Sequence, residues 1–217
     1  MTLTILNKLS SCIVTAAFIQ GAVSVLISQC FLFTLAANAT GELSREKLLL
    51  SPPSGWNLIQ HNENTSIRLT EYVPPDSDAS NWTEILTIEA FTQQPLPDPI
   101  QLLNSIAETQ ETACDKFTGL STFSGYENGY PTSVQLFNCD KDQLTQMHQI
   151  SLIKTIQGTE HFYVISRLMR LGEQQSKISE DRISQAIGRW SAYLGAVSLC
   201  DSESSDHPCP ITPILEQ

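Results

Sequence analysis

From residue 56 onward, apolar and polar positions alternate with a period of two in segment after segment. A spacing of three and four replaces that alternation twice. Trp56 to His61 and Thr65 to Val73 read as two strands joined by a polar turn. In the second, Ile67, Leu69 and Val73 fall on one side, with Arg68, Thr70 and Tyr72 on the other. Pro74-Pro75 ends it, because neither ring nitrogen can donate to a ladder, and Asn81 to Thr92 is a third strand. Asp98 and Pro99 then open a helix, as N-cap and first helical residue, with Leu102, Leu103, Ile106, Ala107, Ala113 and Cys114 on its apolar face. Gly119 to Tyr126 and Thr132 to Cys139 form a hairpin around Asn128-Gly129, a pair suited to a two-residue turn with positive φ. Leu144 to Ile156 and Glu160 to Leu171 form another around Gln157-Gly158-Thr159. A last helix starts at a Ser179 cap, carries Glu180 and Asp181 at its positive end, and has Ile183, Ala186, Ile187, Trp190, Leu194 and Val197 as its stripe. Residues 40–50 are a short lead-in with helical character. The order βββ-α-ββββ-α lacks βαβ alternation. It predicts an α+β fold, a mainly antiparallel sheet of about six to seven strands packed against two helices.

The first forty residues break the pattern. After Lys8 no charge occurs until Glu42, and Ile13 to Ala37 is mostly apolar, ending in Ala37-Asn38-Ala39, a small-x-small cleavage sequence. Residues 1–39 are therefore expected to be a signal peptide. The alternatives are an uncleaved membrane anchor through residues 9–37 and a lipoprotein modified at Cys30, where Gln29 replaces the small residue such a site needs. A single domain over 40–199 and a stapled tail over 200–217 follow. Each reading puts the chain outside the cytoplasm, periplasmic or secreted, with no membrane contact after cleavage.

Cysteine usage agrees. Of six cysteines, Cys12 and Cys30 lie in the leader, leaving Cys114, Cys139, Cys200 and Cys209. Three pairings of four cysteines exist. Cys200 and Cys209 bracket a short polar loop and should pair locally, leaving Cys114 for Cys139. No C-x-x-C or H-x-x-x-H spacing supports zinc, and no metal or cofactor is implied.

Charge narrows the partners. Acids outnumber bases 23 to 12, for a net charge of −11. That leaves no excess of Lys and Arg to neutralise phosphates, so nucleic acid is excluded. Nucleophile-elbow, zincin, P-loop and dinucleotide motifs are all absent from the sequence. His148 shares the parity of Ile150 and Leu152 and reads as a sheet histidine, His161 as an exposed residue beside a turn, and His207 as part of an acidic loop with Asp201, Glu203 and Asp206. Asp76-Ser77-Asp78 and Asp140-Lys141-Asp142 lack the rest of a calcium loop and read as turns. Glu84 and Glu89 have opposite parity and cannot act as an acid–base pair. Glu84, if its face is buried, needs a partner such as Arg68.

Tyr72-Val73-Pro74 followed by Asn81-Trp82-Thr83-Glu84-Ile85-Leu86-Thr87 resembles a phrase found in uncharacterised exported bacterial proteins, and the terminal Cys200 to Pro208-Cys209 is similar too. The element order looks like that of the PsbP-like α/β/α sandwich, used by small accessory subunits. The resemblance implies no catalytic residues. The expected function is an exported, non-catalytic accessory or binding domain of the bacterial cell envelope or secreted fraction, taking an unknown protein or small ligand. Trp82, Phe91, Tyr126 and Tyr130 are the candidate binding face. The alternatives are an exported hydrolase with an unrecognised site, built from Glu84, His148 or His161, and a membrane-tethered protein with its leader retained.

Overall fold

The computed structural model describes residues 45–172 and 180–210, all within one unit, Glu42–Gln217. The leader, with its cleavage sequence and possible anchor, the Ser179 cap and residues 211–217 lie outside the described residues.

The strands are β1 (Glu46–Leu49), β2 (Asn57–Glu63), β3 (Ile67–Val73), β4 (Glu84–Phe91), β5 (Phe117–Glu127), β6 (Tyr130–Cys139), β7 (His148–Gln157), β8 (Phe162–Leu171) and β9 (Ser198–Asp201). The helices are α1 (Pro99–Ala113) and α2 (Glu180–Ala196). Seven strands form one antiparallel sheet in the order β2-β3-β4-β8-β7-β6-β5. Two meanders thus meet at its centre, where β8 lies between β4 and β7. α1 carries the chain from the centre to the far edge, and Asp98 caps it by accepting from Gln101 N at 3.0 Å.

Alternation sorts the side chains onto two faces. Tyr163, Ile165, Met169 and Leu171 of β8 join Ile150, Leu152 and Ile156 of β7 against Ala186, Trp190 and Leu194 of α2. Phe162 and Val164, with Ile153 and Phe137, pack on the other face against Leu103 of α1. A helix on each side of an antiparallel sheet is the expected α+β sandwich.

Three elements differ from the sequence reading. The lead-in is a strand, not a helix: β1 pairs with β9, Glu46 opposite Asp201 and Leu49 opposite Ser198, in a separate two-stranded sheet. Leu48 and Leu199 then close the α2 side of the core. Cys200 accordingly lies inside the fold, fully buried, and the stapled segment starts in β9 rather than in a tail. β7 begins at His148, since Leu144 is turned out into solvent by a tight turn in which Asp142 accepts from Thr145 N and Oγ1.

Both disulfides form as expected. Cys114–Cys139 ties the end of α1 to the end of β6, and Cys200–Cys209 staples the loop after β9. That loop is docked. At the β5–β6 turn Asn128 (φ 48°) and Gly129 (φ 80°) have left-handed backbones, and Asn128 Nδ2 donates to Leu199 O at 2.9 Å and Pro208 O at 3.1 Å. His207 Nδ1 donates to Asn128 O at 2.9 Å, and its ring stacks on Tyr130 at 4.0 Å. A Cβ on Gly129 would lie 2.6 Å from that Nδ1, so only glycine fits beneath the ring. Glu203 and Asp206 of the acidic loop are exposed as expected, whereas the His207 ring is packed on Tyr130.

Candidate functional site

On the α2 face, a cleft of about 440 Å³ opens where the entry to β2, the start of β4, the middle of β8 and α2 converge. Its centre is Arg167, which shares the inward parity of Ile165 and Met169 and is only 6% exposed. Glu84 reaches it from β4, Oε2 accepting from Arg167 Nη2 at 3.0 Å. Around the guanidinium stand Trp56 at 4.3 Å, Tyr193 at 5.4 Å and Trp190 at 5.6 Å, measured to the ring centroids. Trp190 and Tyr193 are three apart on α2 and so share a face. Trp56 is placed by a tight turn, its N–H donating to Pro53 O at 3.1 Å with Gly55 at φ 78° between.

The electrostatics are those of a partly desolvated cation. Burial pushes the Arg167 guanidinium down from its ordinary value, and the Glu84 carboxylate opposes that shift. Burial pushes the Tyr193 hydroxyl up to about 12, against the pull of Arg167. Tyr193 donates to Ser51 O at 2.9 Å. Arg189 adds a second, exposed cation at the rim. Arg167 Nε and the indole Nε1 of Trp190, itself 1% exposed, have no hydrogen-bond partner among the described residues. Each such buried donor costs about 1–3 kcal/mol unless something accepts from it. This set of groups presents a cation flanked by aromatic rings at the wall of an open cleft.

A second cleft, about 350 Å³, lies at the opposite end of β8 beside β1 and is lined by Glu46, Arg68, His161 and Tyr163 among others. Ligand atoms of Glu46, Glu160 and His161 lie within 4.8 Å of one another there. Glu46, buried, accepts from the backbone N–H groups of Thr159, Glu160 (3.1 Å) and His161 (3.3 Å) and from Thr159 Oγ1 (2.7 Å). The carboxylate therefore clamps the β7–β8 turn, and a Cβ on Gly158 would collide with it and with His161 O. His161 is half-buried rather than exposed, because this clamp folds over it.

The four aromatic residues expected to form a binding face are not brought together. Tyr130 is 2% exposed and sits in the core beneath His207, whereas Phe91 packs on the opposite face of the sheet, against the α1 core. The Trp82 ring is covered by Arg170, whose guanidinium carbon lies 3.3 Å from its centroid. Tyr126 alone is open to solvent, at 73%. The partner of Glu84 is Arg167 and not Arg68, which pairs with Glu63 at 2.9 Å. Glu84 and Glu89 do occupy different faces, in registers opposite Met169 and Val164. His148 bonds to Asn138 Oδ1 at 2.6 Å opposite Leu171, at the other end of β8 from His161.

No protein-family model matches the chain, and no curated protein matches it. Among solved structures, the chain is similar to a mutant of the protein Mog1, with 13% identity, a TM-score of 0.40, and coverage of 66% of this chain and 84% of that one. It is also similar to LpqN of Mycobacterium tuberculosis, a protein involved in cell envelope biogenesis, with 14% identity, a TM-score of 0.37, and coverage of 64% and 79%.

Sequence reasoning did not find Trp56, Arg167 or Tyr193 as site residues, and it placed Trp190 in the helix stripe only. One signal was available. Arg167 and Lys154 are charges standing at inward positions of otherwise apolar alternations, where a lone charge needs a built partner.

Proposed function

We propose that the folded unit is a non-catalytic binding domain of an exported accessory protein, acting in the cell envelope or secreted fraction, with the Trp56–Arg167–Trp190–Tyr193 cleft as its ligand site. The observation that carries this reading is the cleft itself: three aromatic rings around a buried guanidinium, in a volume typical of small-molecule sites. Two disulfides support the export part, since such bonds persist in oxidising compartments. The likeness of the Tyr72-Val73-Pro74 and Trp82-Thr83-Glu84 phrase to exported bacterial proteins fits the same reading.

Native mass spectrometry of the protein recovered from the envelope fraction and the medium tests it. The expected species begins at Thr40, is four hydrogens lighter than its reduced form, and carries a small non-covalent adduct that a Trp56→Ala variant loses. A cytoplasmic chain with free thiols, or an adduct that survives Trp56→Ala, overturns the reading.

A further inference from the structure

Among the described strands, β5 and β2 each have a neighbour on one side only, at the two edges of the large sheet. The two edges differ. β2 has seven residues and ends at the ion pair of Glu63 with Arg68, and charge at an edge discourages the addition of a further strand. β5 has eleven residues, and Phe117 to Tyr126 carry no charge, in a chain whose net charge is −11. Every second residue of such a strand turns its N–H and C=O away from the neighbour it already has. Leu120, 58% exposed, Phe123, 38% exposed, and Tyr126 all stand open on it.

A bulge selects what can pair with this edge. Ser121 pairs with Gln135 and Phe123 with Val134, so Thr122 is an extra residue. Leu120 and Phe123, three apart, therefore lie on the same side of the sheet, opposite Leu136 and Val134 of the α2 core. On a regular strand, residues three apart point to opposite sides. A strand without an extra residue would match β5 on one side of the bulge and fall out of phase on the other. A second β5, running antiparallel, carries its extra residue at the same place. With Ser121 opposite Thr122 of the other copy, Leu120 meets Phe123 and Phe117 meets Tyr126, each pair on one side of the sheet. The same register brings the exposed Lys116 of each copy to Glu127 of the other.

We propose that two copies of this chain pair through β5, antiparallel about a two-fold axis at Ser121–Thr122, so that their seven-stranded sheets become one continuous sheet. The apolar rows that run from β6 to β5 then continue into the second copy as cross-strand pairs. A contact made by one pair of strands is small and belongs to the weak, concentration-dependent class of interfaces.

Sedimentation velocity of the disulfide-bonded protein over a concentration series reads the association. The expected result is a passage from monomer to dimer mass as concentration rises. Leu120→Lys, at an exposed position facing Phe123 of the other copy, should weaken it by about tenfold, and Lys116→Glu by roughly two- to fivefold. Crosslinking reads the register. The two Thr122 residues lie about 6 Å apart in the paired strands and the two Tyr126 residues about 31 Å apart. Thr122→Cys should therefore close a disulfide between copies under mild oxidation, and Tyr126→Cys should not. A chain that stays monomeric up to about 0.5 mM, a dimer that Leu120→Lys leaves intact, or crosslinking through Tyr126→Cys in place of Thr122→Cys overturns the proposal. A monomer that dimerises only once residues 211–217 are deleted overturns it too, and gives the edge to the chain's own tail.

Discussion

At the scale of single residues, burial decides what a charge is worth. Lys154 is completely buried, paired with Glu127, and donates to Leu194 O at 2.9 Å and Val197 O at 2.7 Å, so it caps the negative end of α2 from the sheet below. Arg68 pairs with Glu63 at the surface with both side chains half exposed. Lys154→Met strands a carboxylate and two carbonyls and should cost about 3 kcal/mol, whereas Arg68→Met should cost less than about 1 kcal/mol; urea unfolding of the two variants measures the contrast. Glu89 makes the opposite case. Burial, and secondarily the charge of Glu71, raise its carboxyl above the ordinary range. The folded state therefore holds a proton that the unfolded state has released, and stability falls as pH rises from the unfolded value through the folded one. Glu89→Gln should raise Tm at neutral pH, and the gain should vanish on acidification below the carboxylate range; thermal melts across that pH window check the sign. Charges at inward positions were legible in the alternation of β7 and β8, but their partners were not. Glu127 and Glu84 come from strands whose pairing only the sheet order reveals.

At the scale of elements, strong periodicity was enough. The seven sheet strands and both helices follow from spacing, with their ends shifted by a few residues. β1 and β9 are four residues each, too short to show a period, and neither has its partner nearby in sequence. The disulfides, by contrast, follow from counting and loop length. The Cys114–Cys139 bond closes a loop of 25 residues and Cys200–Cys209 one of 9. Chain entropy assigns them about 3.5 and about 2.7 kcal/mol. Paired Cys→Ser variants should lose stability in that order in chemical denaturation. A larger loss from the C-terminal pair would mean that the docked loop, with His207 on Tyr130, contributes more than closure alone.

At the scale of the whole molecule, the layered architecture was legible because strands and helices come in runs. The candidate site was not, because its groups come from four separate stretches of chain: the turn at Trp56, the start of β4, the middle of β8 and α2. No local motif unites them. They meet only when β8 inserts beside β4 and α2 folds over the sheet. The pairing of the first strand with the last also sets an order of events. β1 leaves the ribosome early and waits, unpaired, while nearly all of the domain is made. Until β9 and the loop to Cys209 emerge, Leu48 lacks the neighbouring strand and the tip at Asn128 lacks the loop it grips. Contacts so distant in sequence form late. The sandwich thus stays open on one side until β9 and the loop to Cys209 have emerged and closed it.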